Sequence, residues 1–169
     1  MTKTILIATD YSLESLNILK EVLKEKNASE DPNQYTVFLV SGYDMGDSIR
    51  DLLFNTKSTI FNKIKPQEFN DAYEIIKNKY PHLIEKIICD VFTGSFQRTF
   101  DNYIKAEHIE EAYYSTSIKS KGKGKPTYSL HFRLKDFPEH KFVLQYRGFK
   151  RINGHKFAEK KLVGKEIGF

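Results

Sequence analysis

Hydrophobic and polar residues follow two different patterns along residues 1–116. Three short runs rich in β-branched residues, "TILIATD", "YTVFLVSGY" and "EKIICDVFTG", predict buried strands. Between these runs apolar residues recur every three or four positions, which predicts amphipathic helices. A weaker fourth strand is predicted over "IEEAYYSTS". The resulting order, β-α-β-α-α-β-α-β, favours a three-layer α/β sandwich, in which a mainly parallel sheet carries helices on both faces.

Several helix starts carry recognisable signals. Ser12 is placed to cap the first helix, Pro66 suits the first turn of a later one, and Ser95 is predicted to open the last. A short helix is also predicted within "DMGDSIRDLLF".

Small and polar residues follow the first three predicted strands. They are "TDYS" at 9–12, "SGY" at 41–43 and "TGS" at 93–95. Ligands of open parallel sheets bind beyond the carboxyl ends of the strands. We therefore expect these three clusters to gather around one crevice.

The last fifty residues change pattern. "TYSLHFRL" at 127–134 and "KFVLQYRGF" at 141–149 both alternate, which predicts an antiparallel hairpin. A short helix near 155–161 and a final strand near Val163 are expected to follow. We divide the chain into an α/β domain (1–116), a Lys/Gly linker (117–126) and a small basic antiparallel β module (127–169). One strand of that module could also complete the first domain's sheet.

The charge divides at the same point. Residues 1–116 hold 13 Lys and Arg against 18 Asp and Glu, whereas residues 117–169 hold 14 against 4. A basic β module permits nucleic-acid binding as an alternative function. Its candidate residues are Arg133, Lys135, Lys141, Arg147, Lys150 and Arg151. The aromatic residues alternate with these charges, so they are better placed for a core than for stacking bases.

The sequence contains no recognisable catalytic or metal-binding motif. Its five histidines form no close ligand pair, and its single cysteine, Cys89, lies in an apolar run without an evident activating partner. Glu110 and Glu111 are expected to face water. We predict no catalytic residue, no metal and no membrane association. A cytoplasmic location is expected because the apolar stretch at the N-terminus is short.

The quoted strands and helices resemble a known family. "ILIATDYSLESLNILKEVL", "FLVSGYD" and "IICDVFTGSFQRTFDNYIK" are similar in layout to universal stress proteins, over residues 3 to 116. The family's first strand likewise ends in an Asp, followed closely by a Ser and an amphipathic helix. The resemblance implies that family's α/β fold, a homodimer and a role in the stress response.

Many members of the family bind ATP through a glycine loop after the fourth strand. This chain has Lys119, Lys121, Lys123 and Lys125 there, interleaved with two glycines that lack the family's spacing. The resemblance assigns a nucleotide pocket to Ala8, Thr9, Asp10, Ser12, Val40, Gly42, Gly94, Gly122 and Gly124. Asp10 would contact the nucleoside; alternatively it only caps the following helix or satisfies backbone amides of the loop.

The combined prediction is a non-enzymatic, cytoplasmic regulatory or stress-response protein that acts through protein association. Its nucleotide pocket is expected to be degenerate, and no cofactor is expected. One alternative is a protein that binds ATP or another adenine nucleotide through the lysines. The other is the nucleic-acid-associated protein described above.

Overall fold

The computed structural model describes residues 1–29, 32–43, 45, 53–54, 56–94 and 96–115, together with the backbone of residues 142–152 and 155–162. The strands are β1 (Thr2–Ala8), β2 (Gln34–Gly42), β3 (Ile84–Phe92), β4 (Glu111–Ser115), β5 (Phe142–Ile152) and β6 (His155–Leu162). The helices are α1 (Leu16–Ala28), α2 (Lys57–Ile64), α3 (Gln67–Lys79) and α4 (Gln97–Ala106). The predicted α/β class is confirmed.

The strands form one sheet in the order β3-β2-β1-β4-β5-β6. Strands β1 to β4 are parallel, as predicted. Strand β5 continues the sheet in parallel with β4, so it supplies the fifth strand that residues 1–116 lack. The predicted short helix near residues 155–161 is wrong, because these residues form β6 and pair antiparallel with β5. Strand pairing here overrides local helix propensity. The linker and the predicted strand at 127–134 lie outside the described residues.

Alternate residues of β1 enter two different hydrophobic clusters. Ile5 and Ile7 join the cluster that receives residues of α1, α2 and α3. Leu6 and Ala8 join the cluster that receives residues of α4. Both faces of the strand are therefore covered, which explains why β1 is a continuous apolar run rather than an alternating one.

Two helix predictions need correction. Helix α2 was not predicted; it begins after Thr56, whose hydroxyl accepts a hydrogen bond from the backbone N–H of Thr59, and it buries Ile60 and Ile64. Helix α1 begins at Leu16 rather than directly after Ser12, because residues 12–15 form a turn first. The predicted helix in the 47–53 region lies largely outside the described residues. None of the described helices combines the length and the hydropathy needed to cross a membrane.

Glu111 does not face water, contrary to the sequence prediction. It is 9% exposed, and its carboxylate lies 2.7 Å from the ammonium of Lys26 at the end of α1. The hydroxyl of Tyr113 donates a hydrogen bond to the same carboxylate. Glu111 pairs with Ile5 in the centre of the sheet, so the first residue of β4 already lies inside. A buried carboxylate of this kind requires both a cation and hydrogen bonds.

The α4 face of the sheet offers a direct stability test. Phe100 is fully buried and packs edge-to-face on Phe92, with 5.2 Å between ring centroids. Phe100→Ala should lower the free energy of unfolding by about 3–5 kcal/mol, because it leaves a cavity. Urea denaturation followed by circular dichroism measures this change.

Phe96→Ala is the matched control, because Phe96 precedes the same helix and is 75% exposed. Its effect should stay within about 0.5 kcal/mol. Equal losses in the two variants would contradict the packing described for α4.

Candidate functional site

The carboxyl ends of the first three strands lie at one edge of the sheet. Ala8 pairs with Val40, and Gly42 pairs with Phe92, in parallel register. Asp10 and Gly94 each follow the last residue of their strand by two positions. The predicted residues of β1, β2 and β3 are therefore brought to the same edge. Gly122 and Gly124 lie outside the described residues.

The loop between β1 and α1 is held by a chain of hydrogen bonds. The backbone N–H of Tyr11 donates to Thr9 Oγ1 at 2.9 Å, and Thr9 Oγ1 lies 2.6 Å from Ser15 Oγ. The Ser15 hydroxyl donates to the Ser12 carbonyl at 2.7 Å, so it is free to accept from Thr9. Thr9 and Ser15 are buried. These hydroxyl groups thus stabilise the loop itself.

Asp10 does not cap α1, which begins at Leu16; it satisfies a backbone amide of the loop, which was the other structural interpretation. Its Oδ1 atom accepts a hydrogen bond from the backbone N–H of Ser12 at 2.9 Å, as in an Asx turn. The side chain is half-buried. Its second carboxylate oxygen has no hydrogen-bond partner among the described residues.

Tyr11 is a structural residue that the sequence did not reveal. It adopts the left-handed backbone region, with φ 56°, and its side chain is fully buried. Its hydroxyl lies 2.8 Å from the carbonyl oxygens of both Leu39 and Asp90. Its ring packs edge-on against Phe61 and Phe69, with centroid distances of 5.8 and 5.2 Å. An unfavourable backbone conformation is thus held by extensive packing.

Gly94 is required by close packing at the start of α4. A Cβ atom at this position would lie 2.5 Å from the ring of Phe92 and 2.8 Å from the methyl group of Thr99. Both distances are shorter than van der Waals contact. The fold therefore accounts for this glycine without a ligand.

Asp90 joins helices from the two faces of the sheet. Its carboxylate accepts hydrogen bonds from Lys57 of α2 at 2.7 Å and from the hydroxyl of Tyr103 of α4 at 3.1 Å. Burial, followed by the proximity of Asp90, raises the pKa of Tyr103 above its ordinary range. Asp90 was not among the predicted site residues, because neither partner is near it in sequence.

Cys89 has a partner that the sequence did not indicate. The ammonium of Lys65 lies 3.3 Å from the half-buried Cys89 sulfur. Burial raises the pKa of the Cys89 thiol, and the charge of Lys65 opposes that rise. The two residues line an open pocket of about 240 Å³, together with Phe61, Asn62 and Asn70.

The remaining predicted residues belong to the basic segment. Arg133, Lys135 and Lys141 lie outside the described residues. The other three, Arg147, Lys150 and Arg151, lie in β5, of which the structure describes the backbone. Within the part of the chain that the structure describes, no group of three or more His, Cys, Asp or Glu side chains could hold a metal ion.

The comparisons with known proteins show no family for this chain. No protein-family model matches the chain, and no curated protein is significantly similar to it. Among solved structures, the chain is similar to the crystal structure titled "hypothetical protein, PH0823", with a TM-score of 0.46 and 14% sequence identity. The match covers 86% of this chain and 94% of that one.

Tyr11→Phe tests the anchoring role of the Tyr11 hydroxyl. At neutral pH the variant should lose about 1–2 kcal/mol of unfolding free energy, because two carbonyls lose a hydrogen-bond donor. Tyr43→Phe is the control, since the Tyr43 hydroxyl has no hydrogen-bond partner among the described residues. Its effect should remain below about 0.5 kcal/mol.

The stability difference between the wild type and Tyr11→Phe should also depend on pH. Burial, followed by the nearby Cys89 and Asp90, raises the pKa of Tyr11 above its ordinary value of 10. Above pH 10 the unfolded chain releases this proton while the folded chain keeps it, so the contribution of Tyr11 to stability falls as pH rises. The stability difference between the wild type and Tyr11→Phe should therefore narrow above pH 10. A difference that stays constant in urea denaturation between neutral and alkaline pH would contradict this assignment.

Proposed function

We propose that this protein is a non-enzymatic regulatory or stress-response protein of the universal stress protein type. It acts through protein association as a homodimer, and its nucleotide pocket at the carboxyl edge of the sheet is degenerate. The three-layer arrangement and the basic C-terminal β module belong to this proposal. The observation that carries it is the common edge reached by Asp10 and Gly94 in a parallel α/β sheet.

The chemistry of that edge favours a degenerate pocket over a working one. Thr9 and Ser15 direct their hydroxyl groups to each other and to the loop backbone. One oxygen of Asp10 is engaged by the backbone of Ser12. Phosphate groups are bound by free backbone N–H groups, by helix N-termini or by cations. At Gly94, the ring of Phe92 already crowds the position where a close backbone approach would be needed.

The hydroxyl groups of this edge also favour a non-enzymatic role. A serine or threonine nucleophile requires a neighbouring base that removes its proton. The proton of Ser15 points to the backbone carbonyl of Ser12 instead, and Thr9 is paired with Ser15. This arrangement is typical of hydroxyl groups that stabilise a loop by internal hydrogen bonds.

Native mass spectrometry of the full chain, purified without added nucleotide, tests the proposal. We expect the mass of a dimer with no retained nucleotide. We also expect the melting temperature to stay unchanged at about 5 mM ATP. A working site with a Kd near 50 µM would instead add about 2.7 kcal/mol of stability and raise the melting temperature. A monomer at all accessible concentrations would contradict association as a homodimer.

Two other outcomes would favour the alternatives. A retained nucleotide, or a melting temperature that rises with ATP, would show a working nucleotide site and contradict the degenerate pocket. Binding to a labelled DNA or RNA duplex that falls steeply between 50 and 200 mM salt would favour the nucleic-acid function. Neutralising substitutions at Arg147, Lys150 and Arg151 suit this second test better than deletion of the segment, because β5 belongs to the sheet.

A further inference from the structure

The pocket between α2, α3 and β3 is lined by none of the residues predicted to bind a ligand. Its lining consists of Phe61, Asn62, Lys65, Asn70 and Cys89, and its volume is about 240 Å³. We call it the Lys65 pocket. Drug-sized ligands occupy cavities of roughly 300–1,000 Å³. The Lys65 pocket therefore suits a smaller molecule.

Lys65 brings a positive charge to this pocket without a matching carboxylate. Lys26 and Lys57 each lie 2.7 Å from an acidic side chain. No acidic side chain forms an ion pair with Lys65 among the described residues. A half-buried cation without a counter-charge attracts an anion, because burial lowers the local dielectric and so strengthens the attraction.

The Lys65 ammonium is also held in position. It lies over the rings of Phe69 and Tyr73, at 5.8 and 5.5 Å from their centroids. It is 3.3 Å from Cys89 Sγ, which takes only one of its three N–H donors. The contacts fix the charge beside the pocket and leave donors for a ligand.

Two neutral donors accompany this charge. The side-chain amides of Asn62 and Asn70 line the pocket and make no hydrogen bond to another described residue. Each amide offers two N–H donors and one carbonyl acceptor. Phe61 supplies an apolar wall beside them.

We propose that the Lys65 pocket binds a small monocarboxylate. Lys65 supplies the counter-charge, the amides of Asn62 and Asn70 donate hydrogen bonds, and Phe61 contacts the apolar part of the molecule. A single ammonium balances the single charge of a carboxylate. Proteins instead bind a phosphate dianion through clustered cations, bidentate arginines or converging backbone N–H groups.

Cys89 allows this proposal to be tested without knowing the natural ligand. It is the only cysteine of the chain, and it lines the pocket. Iodoacetate and iodoacetamide both alkylate a thiol: the thiolate sulfur bonds to the CH₂ carbon, iodide leaves, and the thiol proton passes to the buffer. The two reagents differ in the carboxylate that only iodoacetate carries. The ratio of their rates at Cys89 therefore measures carboxylate recognition.

The rate ratio of iodoacetate to iodoacetamide at Cys89 should exceed that of N-acetylcysteine amide, an uncharged reference thiol, by about fivefold, because a nearby cation in a partly shielded site attracts the carboxylate of iodoacetate. Lys65→Met should return the ratio to that of N-acetylcysteine amide. Loss of Lys65 also raises the pKa of Cys89 and slows both reactions. The ratio cancels this effect, since both reagents need the same thiolate. Mass spectrometry of the labelled chain gives the rates.

Lys63→Gln is the matched control, because it removes an exposed charge two residues before Lys65, in the last turn of α2. It should leave the ratio unchanged. An equal fall in Lys63→Gln and Lys65→Met would show a general charge effect and overturn the proposal. A wild-type ratio equal to that of N-acetylcysteine amide, or an unchanged ratio in Lys65→Met, would overturn it as well.

Protection experiments on the wild-type chain decide the matter even if Lys65→Met fails to fold. Sodium propionate should slow the labelling of Cys89 by iodoacetamide, whereas its neutral counterpart propionamide should not. Equal protection by both would mean that charge is not recognised and would overturn the proposal. Protection by inorganic phosphate equal to that by propionate would overturn the assignment to a monocarboxylate.

Discussion

The side chain of Tyr11 fastens the loop after β1 to the neighbouring strands β2 and β3. Its hydroxyl is the only hydrogen-bonding group of the side chain, and it lies within hydrogen-bonding distance of the carbonyls of Leu39 and Asp90. The edge-on contacts with Phe61 and Phe69 place the same ring between α2 and α3. The backbone at Tyr11 is left-handed, and the side chain is fully buried. The positions of Asp10 on one side and of Phe61 on the other both depend on this residue.

A buried carboxylate, Glu111, and a half-buried one, Asp90, stabilise the sheet at positions where apolar packing alone would not specify the neighbours. Glu111 links β4 to the end of α1 through Lys26, and Asp90 links β3 to α2 and α4 through Lys57 and Tyr103. Such pairs cost desolvation energy, and apolar residues of similar volume are often as stable. Their geometric demands are stricter, however. They therefore help to fix which helix lies against which strand.

The sequence predicted strands β1 to β3 well, because a strand covered on both faces is a continuous apolar run. It failed where a residue's role depends on a distant partner. Glu111 was predicted to face water, since its partner Lys26 is 85 residues away. Lys65 and Cys89 are 24 residues apart and no local pattern joins them. Tyr11 gave no signal, because an aromatic residue in a polar loop is equally compatible with exposure and with burial.

The two candidate sites differ in whether the fold already satisfies their polar groups. The sequence analysis placed the candidate site at the polar residues that follow the parallel strands. Most of the described polar groups at that edge are engaged by the fold, since Thr9 and Ser15 hydrogen-bond to each other and one oxygen of Asp10 accepts from the backbone of Ser12. The spare donors lie instead on Lys65, Asn62 and Asn70, where the sequence analysis predicted no site. A polar group that the fold has satisfied gains little by binding a ligand, because it must first give up its internal partner. Unused donors beside a cavity have no such cost, and this is why the Lys65 pocket is the stronger candidate for binding a small molecule.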